Sequence, residues 1–171
     1  DVPVGDVDFG RAIPCACQEQ ASASQKLFRL QRFSNLGILS EVSFESVAGH
    51  GPGTGPEAQA RYHAAIEAGR SFADEPQGSL LLVGGNGTGK THIAAAVANK
   101  LMERGQPVFF TFVPDLLDQL RGSYSPDSAL TYDEMFEQVR TVPVLVLDDL
   151  GTHSGTPWAE EKLFQVINHR Y

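Results

Sequence analysis

Short apolar runs and amphipathic stretches alternate along most of this chain. Mostly apolar runs at residues 80–83, 107–111 and 142–147 are typical of buried parallel strands, which are covered on both faces. Other stretches repeat apolar positions at the three- to four-residue spacing of helices. These helix-like stretches are residues 57–72, 91–104, 114–120, 132–139 and 158–171. Because strand and helix alternate from the first run onward, we expect a three-layer α/β sandwich around a parallel sheet.

The first part of the chain has less regular patterning. Residues 1–20 are rich in Val, Pro, Gly and Asp without a helical period, which predicts an extended or loop-like arm. A short helix is expected over residues 25–33, and residues 49–56 are dense enough in Gly and Pro to predict a linker or mobile loop. We therefore expect an amino-terminal arm and helix over residues 1–41 and one α/β domain over residues 42–171.

A glycine-rich segment joins the first apolar run to the helix that follows it. Its sequence, Gly84-Gly85-Asn86-Gly87-Thr88-Gly89-Lys90-Thr91, fits the pattern G-x-x-x-x-G-K-[ST] in the strand–loop–helix context that a phosphate loop requires. Glycines let successive backbone N–H groups turn inward toward an anion, and the following helix adds the positive end of its dipole. Lys90 is placed to reach the β- and γ-phosphates of a nucleotide, and the hydroxyl of Thr91 is placed to coordinate Mg²⁺.

The alternative interpretation of this segment is a glycine-rich turn that caps an ordinary helix. At average composition, a chance match to all four fixed positions in a chain of this length is on the order of one per cent. We therefore favour the phosphate loop.

Two adjacent carboxylates follow the apolar run at residues 142–147. Asp148 and Asp149 end it in the form of a Walker B segment, and the carboxyl end of such a strand lies beside the phosphate loop in a parallel sheet. We expect Asp148 to hold Mg²⁺ through its water shell and Asp149 to orient or deprotonate the attacking water. Asp149 and Lys90, through its contact with the phosphates, are the expected catalytic residues. Taken alone, Asp-Asp-Leu-Gly is equally typical of a turn that caps the next helix. Its pairing with the phosphate loop favours the catalytic interpretation.

Composition limits the classes of function. The chain has 171 residues, enough for one domain with a sizeable core, and a formal net charge of −8. That charge repels nucleic acid, so a contact with DNA needs a local basic patch or a partner. Lys26, Arg29 and Arg32 form the most basic patch, for which we favour a solvated helix face over a surface that binds nucleic acid or a partner. No apolar run reaches the roughly 18 residues of a membrane span, and the acidic start is unlike a secretory signal, so we expect a cytoplasmic protein without membrane contact.

The two cysteines are separated by a single residue. Cys15 and Cys17 are too close for an easy disulfide, yet they are suitably spaced as two ligands of one Zn²⁺ ion. Two ligands are half a site, so zinc binding here requires further cysteines upstream of Asp1. Without them, two reduced structural thiols are the simpler state.

The motifs together resemble those of a known group of ATPases. The AAA+ ATPases of the DnaC and IstB families have segments similar to residues 85–92 (Gly-Asn-Gly-Thr-Gly-Lys-Thr-His), 113–117 (Val-Pro-Asp-Leu-Leu), 147–151 (Leu-Asp-Asp-Leu-Gly) and 158–171 (Trp-Ala-Glu-Glu-Lys-Leu-Phe-Gln-Val-Ile-Asn-His-Arg-Tyr). The likeness covers roughly residues 42–171. It implies a P-loop NTPase fold of the AAA+ type, with ATP or ADP and Mg²⁺ bound at the phosphate loop. It also implies that His92, the residue after Thr91, belongs to the nucleotide-binding residues. It also implies that residues 1–17 are the tail of a zinc-binding amino-terminal region.

The resemblance implies an ATPase that loads a DnaB-like replicative DNA helicase onto single-stranded DNA and self-associates through its AAA+ interface. Two alternatives stay open: a transposition helper of the IstB kind, and a nucleotide-dependent binding module without turnover. Asp149 departs from the glutamate that is usual at its position in AAA+ enzymes. Its shorter side chain is one reason to expect slow hydrolysis.

The same resemblance implies that the chain is a fragment that is incomplete at its carboxyl end. The family's sensor strand, arginine finger and helical lid would lie beyond Tyr171, as would the two strands that flank the run at residues 80–83 in the AAA+ order. We therefore expect that run to lack its proper neighbours, and the fragment alone not to hydrolyse ATP appreciably.

Overall fold

The computed structural model describes residues 36–49, 51, 55–125, 128, 130–152 and 155–171. The predicted arm, the helix over residues 25–33 with its basic patch, and the zinc ligands Cys15 and Cys17 lie outside the described residues. No helix in the described ranges is long and apolar enough to cross a membrane. The elements follow the order α1 (Phe44–Ala48), α2 (Pro56–Asp74), α3 (Lys90–Glu103), β1 (Val108–Phe112), α4 (Val113–Gly122), α5 (Tyr132–Thr141), β2 (Val144–Asp148) and α6 (Pro157–His169), with a 3₁₀ turn at Gly37–Leu39 before α1.

Strands β1 and β2 form a two-stranded parallel sheet. Val108 pairs with Val144, and Phe112 pairs with Asp148. Helices α4 and α5 make the crossover between the strands, because parallel neighbours need a long connection that returns the chain to the starting edge. The prediction of a parallel α/β fold is confirmed, with a smaller sheet than expected. The register also places Asp148 level with the last residue of β1, at the carboxyl edge of the sheet.

Helices cover both faces of this sheet. On the first face, Phe110 packs in an apolar cluster with residues of α1, α2 and α3. On the second face, Phe109 packs with residues of α4, α5 and α6. Both rings are fully buried, because successive side chains of a strand point to opposite faces and each face has its own helical layer. The described residues therefore form a helix–sheet–helix arrangement.

Local hydrogen bonds fix several helix starts. The Oγ of Ser43 accepts from the N–H of Ser46 (3.3 Å), and the Oγ of Ser46 accepts from the N–H of Ser43 (3.0 Å), which is a capping box at α1. Thr131 and Glu134 make the same reciprocal pair at the start of α5. Thr156 caps α6 through its side chain. These polar residues satisfy N–H groups that a helix start leaves without partners.

The apolar run at residues 80–83 is not a strand in the structure, so the prediction of a buried strand there is wrong. Leu80 and Leu82 are partly buried against the first-face cluster, whereas Leu81 is 75 % exposed and Val83 is 84 % exposed. The alternation is that of a strand, but a strand also needs ladder partners for its N–H and C=O groups. Neither β1 nor β2 pairs with the run in the described part of the chain.

Residues before α1 join the first-face cluster. Leu36 and Leu39 are buried there together with Phe44. The buried side-chain amide of Asn99, on α3, donates to the carbonyls of Leu39 (2.7 Å) and Val42 (2.8 Å). These two bonds attach the entry segment of the chain to the helix that follows the glycine-rich loop. The expected domain boundary near Val42 stays a prediction.

Candidate nucleotide-binding site

The glycine-rich loop turns sharply before α3. Gly87 and Gly89 have φ angles of +73° and +83°, in the left-handed region that glycine adopts at little cost. Gly89 is the last residue before α3. A Cβ atom at Gly89 would lie 2.7 Å from Cε2 of Tyr62, so the packing here requires a glycine. The chain therefore enters α3 through a turn that brings the loop to the positive end of the helix dipole.

Two side chains of the loop bond to its own carbonyls. The Nζ of Lys90 donates to the carbonyl oxygens of Gly84 (3.1 Å) and Gly85 (2.8 Å). The Oγ1 of Thr88 also donates to the carbonyl of Gly85 (2.9 Å). Phosphate oxygens are charged acceptors and make stronger hydrogen bonds with an ammonium group than neutral carbonyls do. The ammonium group of Lys90 is therefore held against the loop, and a phosphate group that binds there can replace the carbonyls as its acceptor.

A cleft of about 730 Å³ borders the loop, a volume in the range of small-molecule pockets. Its wall combines the loop and the first turn of α3 with the end of α1, one residue of α2 and the residue after β2. The lining residues are Ser46, Val47, Tyr62, Asn86, Gly87, Thr88, Gly89, Lys90, Thr91, His92 and Asp149. The structure thus brings the predicted residues from Asn86 to His92 into one cleft with Asp149. Gly84 and Gly85 lie outside the lining and contact it through the bonds to Lys90.

The two carboxylates at the end of β2, its last residue Asp148 and the following Asp149, have different surroundings. Asp148 is 8 % exposed, and its Oδ2 atom has no hydrogen-bond partner among the described residues. Asp149 is exposed and has a φ angle of +54°, a left-handed conformation that aspartate adopts more readily than most residues other than glycine. Thr152 closes this turn by donating its N–H (3.1 Å) and its Oγ1 (2.8 Å) to the carbonyl of Asp149. The turn brings Asp149 to the cleft while Asp148 stays at the buried end of the strand.

The residues present fit a magnesium ion that arrives with a nucleotide. A buried carboxylate oxygen without a partner is costly unless a donor or a cation binds it, which is the situation of Asp148. Mg²⁺ keeps several waters and is usually bound by one or two protein oxygens together with phosphate oxygens, and the hydroxyl of Thr91 and the carboxylate of Asp148 are oxygen ligands of that kind. Thr91 lines the cleft, whereas Asp148 is not part of its lining. Within the described ranges, no group of three or more His, Cys, Asp and Glu side chains could hold a metal ion. Phosphate oxygens would therefore have to complete the coordination.

Sequence reasoning did not identify Ser46, Val47 or Tyr62 as residues of the site. Tyr62 lies on the apolar side of the predicted helix over residues 57–72, and helical spacing does not distinguish a cleft residue from a core residue. In the structure the hydroxyl of Tyr62 donates to the carbonyl of Val47 (3.0 Å). Burial raises the pKa of the Tyr62 hydroxyl above its ordinary value, because it disfavours the charged phenolate.

The parallel α/β core, the glycine-rich loop before α3 and the carboxylates at the end of β2 define a nucleotide-binding protein of the P-loop class. Comparison with known protein families gives a more specific result. Residues 24–171 match the family described as IstB-like ATP binding protein, and the chain belongs to this family of ATP-binding proteins.

Several curated relatives are named as replicative helicase loaders. Replicative helicase loader DnaI of Bacillus subtilis is 35% identical over 103 residues, which cover 59% of this chain and 32% of DnaI. Replicative helicase loader DnaC of Escherichia coli K12 is 27% identical over 163 residues, which cover 93% of this chain and 63% of DnaC. The resemblance to the DnaC and IstB families is thereby confirmed. The chain spans about a third of DnaI and less than two thirds of DnaC.

Proposed function

We propose that this chain is the ATP-binding core of a replicative helicase loader, an AAA+ protein of the DnaC type. In this proposal the bound nucleotide sets the protein's affinity for a DnaB-like helicase and for single-stranded DNA. The observation that carries it is the cleft lined by Lys90, Thr91 and Asp149. The family match and the helicase loaders among the relatives support this function over other uses of a P-loop.

Binding of ATP would use the loop as a cradle. The phosphates would lie against the backbone N–H groups of the glycine-rich loop and at the N-terminus of α3, where the helix dipole favours negative charge. Lys90 would exchange its bonds to the carbonyls of Gly84 and Gly85 for bonds to the β- and γ-phosphates. Thr91 and Asp148 would hold Mg²⁺, which supplies neutralisation of charge on the phosphate oxygens.

Hydrolysis would depend on Asp149. Its carboxylate lines the cleft, and we assign it the orientation or deprotonation of the attacking water. A further cation is needed to stabilise the charge that develops during phosphoryl transfer, and no arginine lines the cleft among the described residues. We therefore assign ATP hydrolysis to the full-length protein, in which a neighbouring subunit supplies that cation through self-association. The chain by itself would bind nucleotide with little turnover.

The loader proposal includes further expectations for the full-length protein. Because the net charge of −8 repels DNA, contact with single-stranded DNA needs a local patch or assembly on the helicase. Loading of a replicative helicase also implies a cytoplasmic location. A zinc site that includes Cys15 and Cys17 stays a prediction.

A transposition helper of the IstB kind is the second candidate. It is favoured by the family match, which covers residues 24–171 and carries the IstB name. Both candidates use the same nucleotide site and differ in the partner that the nucleotide controls. A third possibility is a nucleotide-dependent binding module without turnover. It differs from both candidates because it does not hydrolyse the nucleotide that controls its binding.

Capture of the replicative helicase of the same organism by the full-length protein, in ATP and in ADP, tests the proposal. A loader predicts that the amount of helicase captured differs between the two nucleotides. Lys90→Ala should remove the difference. Lys100→Ala, a lysine change on the exposed side of the same helix, should keep it. Equal capture in ATP and ADP, or no capture, would contradict the loader. Nucleotide-sensitive capture of a transposase instead would favour the helper.

A further inference from the structure

We propose that Tyr62 is a positioning residue for nucleotide binding, because it holds the glycine-rich loop and the end of α1 in the arrangement that forms the cleft. The inference rests on the proposed ATP site. It adds to that site a residue that belongs to no nucleotide-binding motif and lies far from the loop in sequence.

Tyr62 contacts three separate parts of the chain around the cleft. Its hydroxyl donates to the carbonyl of Val47, in α1 (3.0 Å). One edge of the ring packs against the backbone of Gly89: a Cβ atom added to Gly89 would lie only 2.7 Å from Cε2 of Tyr62. On the other edge, Cδ1 would be 3.2 Å from a Cβ of Gly51, which lies in the connection between α1 and α2. The ring is therefore wedged between two glycine backbones and is only 6 % exposed.

These contacts act on the residue that sets the shape of the loop. Gly89, with its φ angle of +83°, turns the chain from the loop into α3. A buried ring packed against this backbone limits how far the loop can shift. The hydroxyl bond in turn fixes the ring to Val47, which lines the same cleft. Tyr62 thus links two walls of the cleft that are distant in sequence.

The consequence for binding is preorganisation. A loop that is already held in its binding shape loses less conformational entropy when it closes around a phosphate, and this raises affinity. Tyr62 does not have to touch the nucleotide for this effect. Its removal should weaken the binding of ATP and of ADP by similar factors, because both nucleotides place a β-phosphate in the loop.

Equilibrium binding of ATP and ADP to the full-length protein tests the inference. Tyr62→Phe keeps the ring and removes only the bond to Val47, so both affinities should fall by about threefold to tenfold, the value of one hydrogen bond. Tyr62→Leu also removes the ring that contacts Gly89 and should weaken binding further. Tyr132→Phe is the matched control, because it removes another shielded tyrosine hydroxyl outside the cleft. It should leave both affinities unchanged.

Thermal unfolding of the same variants separates positioning from a merely structural role. Positioning predicts weaker binding by Tyr62→Phe protein that, in the absence of nucleotide, is still fully folded at the temperature of the binding measurement. Wild-type affinities in Tyr62→Phe would overturn the inference, even if its unfolding temperature fell. If Tyr62→Leu does not fold, Tyr62→Phe decides alone. Failure of the wild type to bind ATP would instead refute the proposed nucleotide site, so the two failures are distinguishable.

Discussion

Replacing Lys90 with alanine should weaken ATP binding by about two orders of magnitude. Nζ of Lys90 donates two hydrogen bonds to neutral carbonyls, at 3.1 and 2.8 Å. Two bonds to charged phosphate oxygens contribute about 1.5–3 kcal/mol each, against about 0.5–1.5 kcal/mol for each carbonyl bond that is given up. The net loss on removing Lys90 is therefore about 2–3 kcal/mol, which corresponds to a dissociation constant roughly 30- to 150-fold higher.

Isothermal titration calorimetry with ATP and Mg²⁺ measures this loss. Lys100→Ala is the control, because Lys100 lies on the same helix but pairs with Glu103 (3.4 Å) on the surface, outside the cleft. Both variants should retain the helical signal of the wild type in circular dichroism, since neither lysine side chain is part of the core. An affinity for ATP in Lys90→Ala equal to that of Lys100→Ala would refute the role assigned to this lysine.

Three further predictions concern the fold around the cleft. Asn99→Ala should lower the free energy of unfolding by roughly 1–3 kcal/mol in urea denaturation. The carbonyl of Val42 loses its side-chain donor, and the carbonyl of Leu39 keeps only the N–H of Val42 (3.1 Å); a change under about 0.5 kcal/mol would contradict this. Gly89→Ala should weaken ATP binding in the same titration, because a left-handed φ costs about 1–2 kcal/mol for other residues and the added Cβ meets Tyr62; wild-type affinity would contradict it. The free energy of unfolding should fall as pH rises above 10.0, because burial raises the pKa of Tyr62 and the folded state keeps a proton that the unfolded chain loses. Tyr62→Phe should reduce this fall, and a pH profile of Tyr62→Phe equal to that of the wild type would contradict the prediction.

Most of the helices and both strands of the sheet could be predicted from local patterns. The helix predicted at residues 91–104 is α3, Lys90–Glu103, because its apolar spacing and the glycine before it are both local signals. The strand that ends in Asp148 is also found, as β2. The predicted and observed elements agree here because the local residue pattern and the long-range packing favour the same secondary structure.

The run at residues 80–83 shows where local patterns fail. Its apolar composition predicts burial on both faces, but Leu81 and Val83 are exposed. Burial of a strand depends on neighbours that are distant in sequence, and a periodicity argument does not contain them. The same run leads into the glycine-rich loop, which nevertheless has the turn that its glycines predict.

Candidate site residues were predictable only where a motif carries the chemistry. Lys90, Thr91 and Asp149 belong to patterns whose spacing has a chemical reason, and all three line the cleft. Tyr62 and Asn99 act through contacts with Val47, Leu39 and other residues far away in the chain. Tyrosine and asparagine are also found on ordinary helix faces, so only the packed structure distinguishes Tyr62 and Asn99 from other residues of their helices.

The central claim is that one magnesium ion is shared between the glycine-rich loop and the carboxylate at the end of β2. The most direct test is the affinity for ATP with and without Mg²⁺, measured for the wild type and for Asp148→Asn, which keeps the size of the side chain and removes its charge. We predict that Mg²⁺ strengthens ATP binding by the wild type and has little effect on Asp148→Asn, while the affinities without Mg²⁺ stay similar. An equal strengthening by Mg²⁺ in both proteins would contradict the account.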